Sequence, residues 1–472
     1  MNNKEQFQKE QDQLLQTILD YRFFNPWNNI TTYADSLRSL RLETRLELYI
    51  TSTCNQKCEY CYLQKYPQLY PKEANNPKTI LKNLDIFLKY LTINHYQIPE
   101  ISIFSGDIWN SEFGWNVLET LYQYIKNGLQ IECITLPSNC SFVSDAKAIQ
   151  KMQQYVDKFR SINCPLLISI SIDGKIIDIS GRPRNDQNDQ YTDEFYERIG
   201  SFARINGFLF HPMVSAQNVK YWIENHKWWE QYLKYYDFDI SAIMMLEVRD
   251  GNWTDENIKD YCKFLEYLLD KWMKEKCDNN PQIFANQLVH TGQAMEKLNL
   301  NSGGGYFPWL IGEPDNFIGC TIPNHLTVRI GDLAICPCHR TSYNEYLYGY
   351  FVVKDDIITG IHAVNPTIAI KIFMGNTLTS NPLCDQCIIK GCCLKGCLGS
   401  QFEYGKDIFM PLTNICKFFK NKTATIFKYY REHGIIQCLK DFGPEEYFSD
   451  TAAFILKIND TIGEKIDELG KI

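Results

Sequence analysis

The sequence predicts an α/β protein built around a parallel sheet, and two observations carry that expectation. Between residues 45 and 276, short runs rich in β-branched and aromatic residues alternate six times with longer amphipathic runs. The cysteines, eighteen in 472 residues, gather in two places along the chain. Strand and helix patterns alternating in this way imply parallel strands with helices on the outer face. Two more clean units, which a closed eight-fold barrel would need, are not found before Cys320. The expected fold is therefore an open, partial (β/α)6 TIM-like barrel followed by a cysteine-rich C-terminal domain.

Each element has its own justification. Residues 1–44 read as a helical extension of mixed polarity, "KEQFQKEQDQLLQTILDYRFF". "RLELYIT" (45–51) is the first strand, and "PKTILKNLDIFLKYLTI" the helix that follows it after a cysteine-bearing loop. "EISIFSGD" (100–107) precedes "FGWNVLETLYQYIKNG", and "IECITLPSN" (131–139) precedes "DAKAIQKMQQYVDKFRSI". "LLISISIDG" (166–174) leads to "TDEFYERIGSFARIN", "GFLFHPMVS" to "VKYWIENHKWWEQYLKYYD", and "FDISAIMMLEV" to "TDENIKDYCKFLEYLLDKWMKEK". The barrel is expected over 45–300. From about residue 300, Gly and Pro punctuation marks a loop-rich segment that runs through the second cysteine group to residue 416, and helical patterns return over 417–472. In such a fold the chemistry belongs at the C-terminal ends of the strands, where the βα loops gather.

Composition narrows the function class. The formal net charge is −8 and the pI about 5.6, so no broad nucleic-acid or membrane surface is expected. No apolar run approaches the ~18 residues of a membrane span, and the polar N-terminus "MNNKEQFQKEQDQ" has no signal-peptide core. The expected location is cytoplasmic, where a reducing environment disfavours disulfides. Most of the scattered cysteines (Cys133, Cys140, Cys164, Cys262, Cys277, Cys438) then read as small packed side chains.

The first cysteine group, "TSTCNQKCEYCYL", places Cys54, Cys58 and Cys61 directly after the first strand. A closed structural zinc site wants four ligands. A cubane [4Fe–4S] cluster offers one soft ligand position on each of four irons, so three cysteines hold three irons and leave the fourth open to a small molecule. The alternatives are a zinc knuckle with a remote fourth ligand, or plain buried thiols.

The motif C-x3-C-x2-C with an aromatic before its third cysteine resembles the signature of radical S-adenosylmethionine (SAM) enzymes, and it follows the first strand as in that superfamily. The resemblance implies that SAM chelates the open iron and is cleaved reductively to a 5′-deoxyadenosyl radical, which takes hydrogen from an unactivated carbon. It also implies cofactor contacts. Tyr60 would pack near the adenine. Ser105, Gly106 and Asp107 match the family's Gly-Gly-Glu loop after the second strand, with a shorter carboxylate in place of Glu. Ser171 and Asp173 match the fourth strand's approach to the cofactor, and Arg182 or Arg184 would pair the SAM carboxylate.

The second group reads Cys320, ten residues, Gly331, four residues, Cys336; then Cys384, Cys387, Cys393 and Cys397 at C-x2-C-x5-C-x3-C; then Cys416. These seven resemble the SPASM extension of radical SAM enzymes, which binds two auxiliary [4Fe–4S] clusters; a zinc ribbon is the plainer alternative. The resemblance implies that Cys320, Cys336 and Cys397 hold the first auxiliary cluster, with Cys338, Asp315 or an open iron completing it. Cys384, Cys387, Cys393 and Cys416 would hold the second, and Cys392 is read as a packed thiol.

The likeness spans residues 45 to 416 and implies three [4Fe–4S] clusters, SAM as cofactor, and a reductant such as flavodoxin or ferredoxin. The leading expectation is a maturase that crosslinks a ribosomally made precursor peptide through a thioether, C–C or C–O bond. The extension of about 44 residues is too short for a whole leader-binding winged helix, so leader recognition is expected on another surface or a separate protein. The runner-up is an anaerobic sulfatase maturase forming formylglycine. Such enzymes are expected to carry an acidic base directly after the second cysteine of the array, where this chain has Pro337. A third reading is an iron–sulfur electron carrier or zinc-stabilised scaffold without SAM chemistry.

Overall fold

A computed structural model describes residues 3–20, 45–104, 106–181, 191–288, 325–373, 382–389, 393, 396–441 and 450–469. They form two compact units, each discontinuous in sequence: Met1–Ile172 with Arg184–Leu209 and Thr321–Met374, and Asp173–Pro183 with Phe210–Cys320 and Gly375–Ile472. In chain order the strands are β1 (Arg45–Tyr49), β2 (Gln97–Phe104), β3 (Gln130–Ser138), β4 (Leu166–Ile170), β5 (Leu209–Phe210), β6 (Met213–Val214), β7 (Leu246–Glu247), β8 (His325–Arg329), β9 (Ala334–Cys336), β10 (Gly349–Lys354) and β11 (Ile357–Ala363). The longer helices are α1 (Asn3–Leu19), α2 (Pro77–Ile93), α3 (Glu112–Lys126), α4 (Ala146–Ser161), α5 (Asp193–Asn206), α6 (Trp222–Tyr235), α7 (Asp255–Cys277), α8 (Pro366–Phe373), α9 (Leu398–Gly405), α10 (Thr413–Glu432), α11 (Ile435–Asp441) and α12 (Asp450–Ile462).

The first unit holds the sheet, with strand order β11-β10-β9-β8-β1-β2-β3-β4-β5. β1 to β4 are parallel neighbours, separated in sequence by α2, α3 and α4 as the alternation predicts. Their helices start on side-chain caps: Asn76 accepts from Lys78 and Thr79, Ser111 from Gly114, and Asp145 from Lys147. The sheet does not stop at β1. β8 adds to its free side in parallel, Arg45 opposite His325 and Tyr49 opposite Arg329, and β9 to β11 follow antiparallel.

Alternation within the strands gives the sheet two chemically different faces. Leu46, Leu48, Ile101, Ile103, Ile134, Leu136, Leu326 and Val328 are buried apolar side chains of one face. On the other, the register lines up Thr327, Glu47, Ser102 and Thr135, with Arg45 and Glu100 one step below. Some of these polar groups pair with one another, while Ser102 Oγ is buried without a hydrogen-bond partner among the described residues. The Thr327 hydroxyl donates to Glu47 at 2.6 Å, the Thr135 hydroxyl donates to Glu100 at 2.6 Å, and Arg45 pairs with Glu100 at 3.0 Å.

The opposite edge is covered. An exposed edge strand invites pairing with other chains, and α1 blocks β11: Gln8 donates to the Ala363 carbonyl at 2.9 Å and Asp12 accepts from the Ala363 N–H at 2.8 Å. Gly331, in the β8–β9 turn, lies against the 72–75 turn, where an added Cβ would sit 1.9 Å from the Ala74 carbonyl oxygen. The motif glycine there is a packing requirement.

The second unit contains the remaining barrel-type strands, much shortened. The run "GFLFHPMVS" is split into β5 and β6 by Pro212, which cannot donate a ladder hydrogen bond. β6 still pairs in parallel with β7, Met213 opposite Leu246, and Phe210 bridges to Ile243. The fifth and sixth units therefore exist with strands of two residues. α7 begins on a capping box at Thr254 and Asn257 and packs against α10 through Trp253, Tyr261 and Phe418, whose ring centroids lie 4.5–5.8 Å apart.

Where β7 meets α10, Lys422 is buried against Glu247, with a 2.5 Å ion pair and the Tyr261 hydroxyl donating to the same carboxylate at 2.7 Å. Burial alone would raise the Glu247 pKa. The Lys422 and Arg249 charges and the hydrogen bonds of Lys422 and Tyr261 outweigh it and hold the carboxyl below its usual range. That contribution to stability is present above the pKa of an unfolded Glu and fades as pH falls through the lower folded value. Removing one partner strands the other charge. Lys422→Met is expected to lower unfolding stability by about 3–5 kcal/mol at neutral pH, and Lys422→Met with Glu247→Gln to recover part of it, measured by denaturant unfolding of anaerobic protein.

Candidate functional site

The three-cysteine loop leaves β1 and is fixed at its base by Asn75. That side chain accepts from the Ser52 N–H at 2.8 Å and the Thr51 hydroxyl at 2.9 Å, and its amide donates to Ser52 Oγ at 2.8 Å. Cys61 caps the helical turn Tyr62–Lys65, whose N–H groups point back to it. Cys54, Cys58 and Cys61 are all free and partly exposed. Burial pushes the Cys54 thiol up to about 11, with the Asp107 charge adding to it. Burial raises Cys61 as well, against the N–H groups of Leu63 and Gln64 and the charges of Arg340 and Lys65. As thiolates these sulfurs need a cation beside them, which ligation to iron supplies.

The loop after β2 lies directly on the cysteine loop. The Gly106 N–H donates to the Thr51 carbonyl at 2.9 Å, and a Cβ on Gly106 would fall 1.7 Å from the Thr53 carbonyl oxygen. Only glycine permits that approach. Asp107 joins the loop after β3: it accepts from Ser138 Oγ and the Asn139 N–H, both at 2.7 Å, and from the Trp109 N–H at 3.3 Å. Enclosure raises its pKa, and these hydrogen bonds oppose the rise. Asn139 completes the connection, donating to Asn55 at 2.9 Å with Cys54 Sγ 3.9 Å away. In this arrangement Asp107 braces three loops against one another.

Other expected cofactor contacts fall in different surroundings. Tyr60 is half-buried in the cysteine loop. Ser171 donates its N–H to the Ser138 carbonyl at 2.7 Å. Asp173, fully buried in the second unit, accepts from the Met213 N–H at 2.9 Å, while its carbonyl accepts from Asn225 at 2.7 Å and Trp229 at 3.1 Å. Its carboxylate thus fixes the start of β6. Ser105, Arg182, Arg184, Cys320, Asp315 and Cys392 lie outside the described residues.

Cys336 is buried on β9 beside Ala334 and Leu347, and burial pushes its thiol up to about 12. Cys338 is also buried, its sulfur 3.3 Å from the Thr341 hydroxyl. The residue that follows, His339, went unnoticed in the sequence. Its ring stacks on Phe104 at 3.8 Å between centroids, and its N–H and Nδ1 both meet Glu47 Oε2, at 3.0 and 3.1 Å. The buried Glu47 carboxylate accepts from the His339 ring and so fixes the imidazole's orientation.

In the second unit, Cys384, Cys387, Cys393 and Cys416 line one cavity of about 640 Å³, and Cys397 is not among its described lining residues. Cys416 lies in the first turn of α10, where the helix N-terminus favours negative charge. Burial pushes its thiol up to about 11, with the charges of Cys384 and Cys387 adding and Lys420 opposing. Among the described residues, no three His, Cys, Asp or Glu side chains converge tightly enough to bind a single ion. A mononuclear zinc site needs its sulfurs within about 2.3 Å of one point, whereas a cubane takes each thiolate on a different iron.

No family model matches the chain, and no curated protein does. A solved structure described as native anSMEcpe with bound AdoMet is similar in fold, with 16% sequence identity over 84% of this chain and 98% of that chain, and a TM-score of 0.50. The mixed α/β architecture with its large parallel sheet is thus shared with a protein that binds AdoMet. No described helix is long and apolar enough to cross a membrane.

The contact between Gly106 and the cysteine loop gives a direct test. Gly106→Ala is expected to displace the loop holding Cys54, read as the loss of about four irons per chain, the content of one cubane, from anaerobically reconstituted protein whose circular dichroism is unchanged.

Proposed function

We propose that the chain is a radical SAM enzyme with auxiliary iron–sulfur clusters and that it modifies a peptide. The observation that carries the reading is the placement of the cysteines. Cys54, Cys58 and Cys61 follow the first strand of a parallel sheet, and Cys384, Cys387, Cys393 and Cys416 surround one cavity. When bound, the first cluster with SAM would supply a 5′-deoxyadenosyl radical able to take hydrogen from an unactivated carbon.

The chain's own residues hold and orient. Cys54, Cys58 and Cys61 would hold the cluster and leave a site open to SAM; Asn75, Gly106 and Asp107 keep the surrounding loops in register. The auxiliary clusters would take the electron left when the product radical is oxidised, or bind the substrate. A flavodoxin or ferredoxin supplies the reducing electron in this reading. Leader recognition, where the peptide carries a leader, falls to another surface or a separate protein.

Two outcomes divide the field. The leading reading is crosslinking of a ribosomally made precursor peptide. The second, formylglycine formation on a sulfatase, is favoured by the fold neighbour, an anaerobic sulfatase-maturing enzyme, and opposed by Pro337, which follows Cys336 where an acidic base is expected.

Enzyme, SAM and reductant should be incubated with a small peptide encoded beside the gene and, separately, with a sulfatase-derived peptide. A loss of about 2 Da per crosslink in the first, with fragmentation suppressed between the joined residues, is the expected result. Conversion of the sulfatase peptide alone would establish the second reading.

A further inference from the structure

Gln401 lies on α9, four residues beyond Cys397, with its N–H bonded to the Cys397 carbonyl at 3.0 Å. Its side chain is fully buried, and neither the amide nitrogen nor the amide oxygen has a hydrogen-bond partner among the described residues. Leaving such an amide unsatisfied is costly, and buried polar groups in native proteins find partners. Gln401 lines the cavity formed by Cys384, Cys387, Cys393 and Cys416. Gly396 makes room for it: a Cβ there would come within 2.9 Å of Gln401 Nε2. The missing partner therefore belongs to whatever fills the cavity.

A cluster held by four thiolates is anionic and presents sulfur acceptors without donors, which complements a carboxamide NH2. We propose that the Gln401 side chain donates a hydrogen bond to the auxiliary cluster held by Cys384, Cys387, Cys393 and Cys416 and so raises its reduction potential. This rests on the reading that those four cysteines hold a cluster. A donor stabilises the reduced state more, because that state carries one more negative charge, and hydrogen bonds to cluster sulfur are a recognised control of potential. Lys420, which lines the same cavity and already acts on Cys416, works in the same direction.

The test compares the full-length reconstituted protein with Gln401→Met, which keeps the length and loses both donors, and with Gln401→Leu in case the first does not fold. Iron and sulfide are counted, and each cluster's midpoint is read by EPR-monitored redox titration, with Cys384→Ala/Cys387→Ala identifying the relevant signal by its loss. The Gln401 variants are expected to retain iron and sulfide, to shift that one midpoint to more negative potential, and to leave the others in place. The expected size is about a tenfold fall in the reduced-to-oxidised ratio at fixed potential, or about 59 mV for one electron. An unchanged midpoint at full cluster content would overturn the role of Gln401 while leaving the cluster. If Cys384→Ala/Cys387→Ala removed no iron, the cluster reading would fail and the proposal with it.

Discussion

In the proposed reading the structure depends on one electrostatic requirement: its grouped thiols have to become thiolates in places where burial resists the charge. Cys54 and Cys416 are pushed up to about 11 and Cys336 to about 12, in each case chiefly by burial. Packed singly, such cysteines are ordinary small apolar residues. Grouped on loops that leave strand ends and helix starts, they offer a scaffold that iron would complete under the proposed function. Much of the surrounding architecture holds those loops still, from Asn75 at the root of the first to the first turn of α10 beneath the last.

Rigidity around the first loop comes from backbone proximity more than from side-chain bulk. Gly106 brings the second loop into contact with the first at a distance that no side chain allows, and Asp107 ties both to the third. The family resemblance suggested a SAM contact for this carboxylate. Its hydrogen bonds from Ser138, Asn139 and Trp109 give it a bracing role between the loops. Glu47 has a comparable role on β1, holding the Thr327 hydroxyl and the His339 ring together.

What the sequence revealed follows from how local each signal is. The first four strands and their helices were legible because every one is a continuous apolar run with its cap or turn beside it. The fifth and sixth strands were placed correctly but their length was not, because Pro212 interrupts the ladder between Phe210 and Met213. β8 was missed altogether. "HLTVR" is five residues with a charge at its end, and its partner β1 lies about 280 residues earlier in the chain, from Arg45 opposite His325; no periodicity reports such a pairing. The cysteine spacing announced both clusters of thiols. Gln401 and Lys422 gave no comparable sign, although Gln401 stands one helical turn from Cys397, and that i, i+4 spacing was the one available hint.

The central claim is that the loop after β1 turns SAM into a radical source. Anaerobic protein, reduced with dithionite and given SAM, should release 5′-deoxyadenosine, detected by liquid chromatography and mass spectrometry. Cys58→Ala should abolish it, and Cys384→Ala should retain it in folded protein. Wild-type protein carrying its full iron and sulfide yet releasing no 5′-deoxyadenosine would contradict the account.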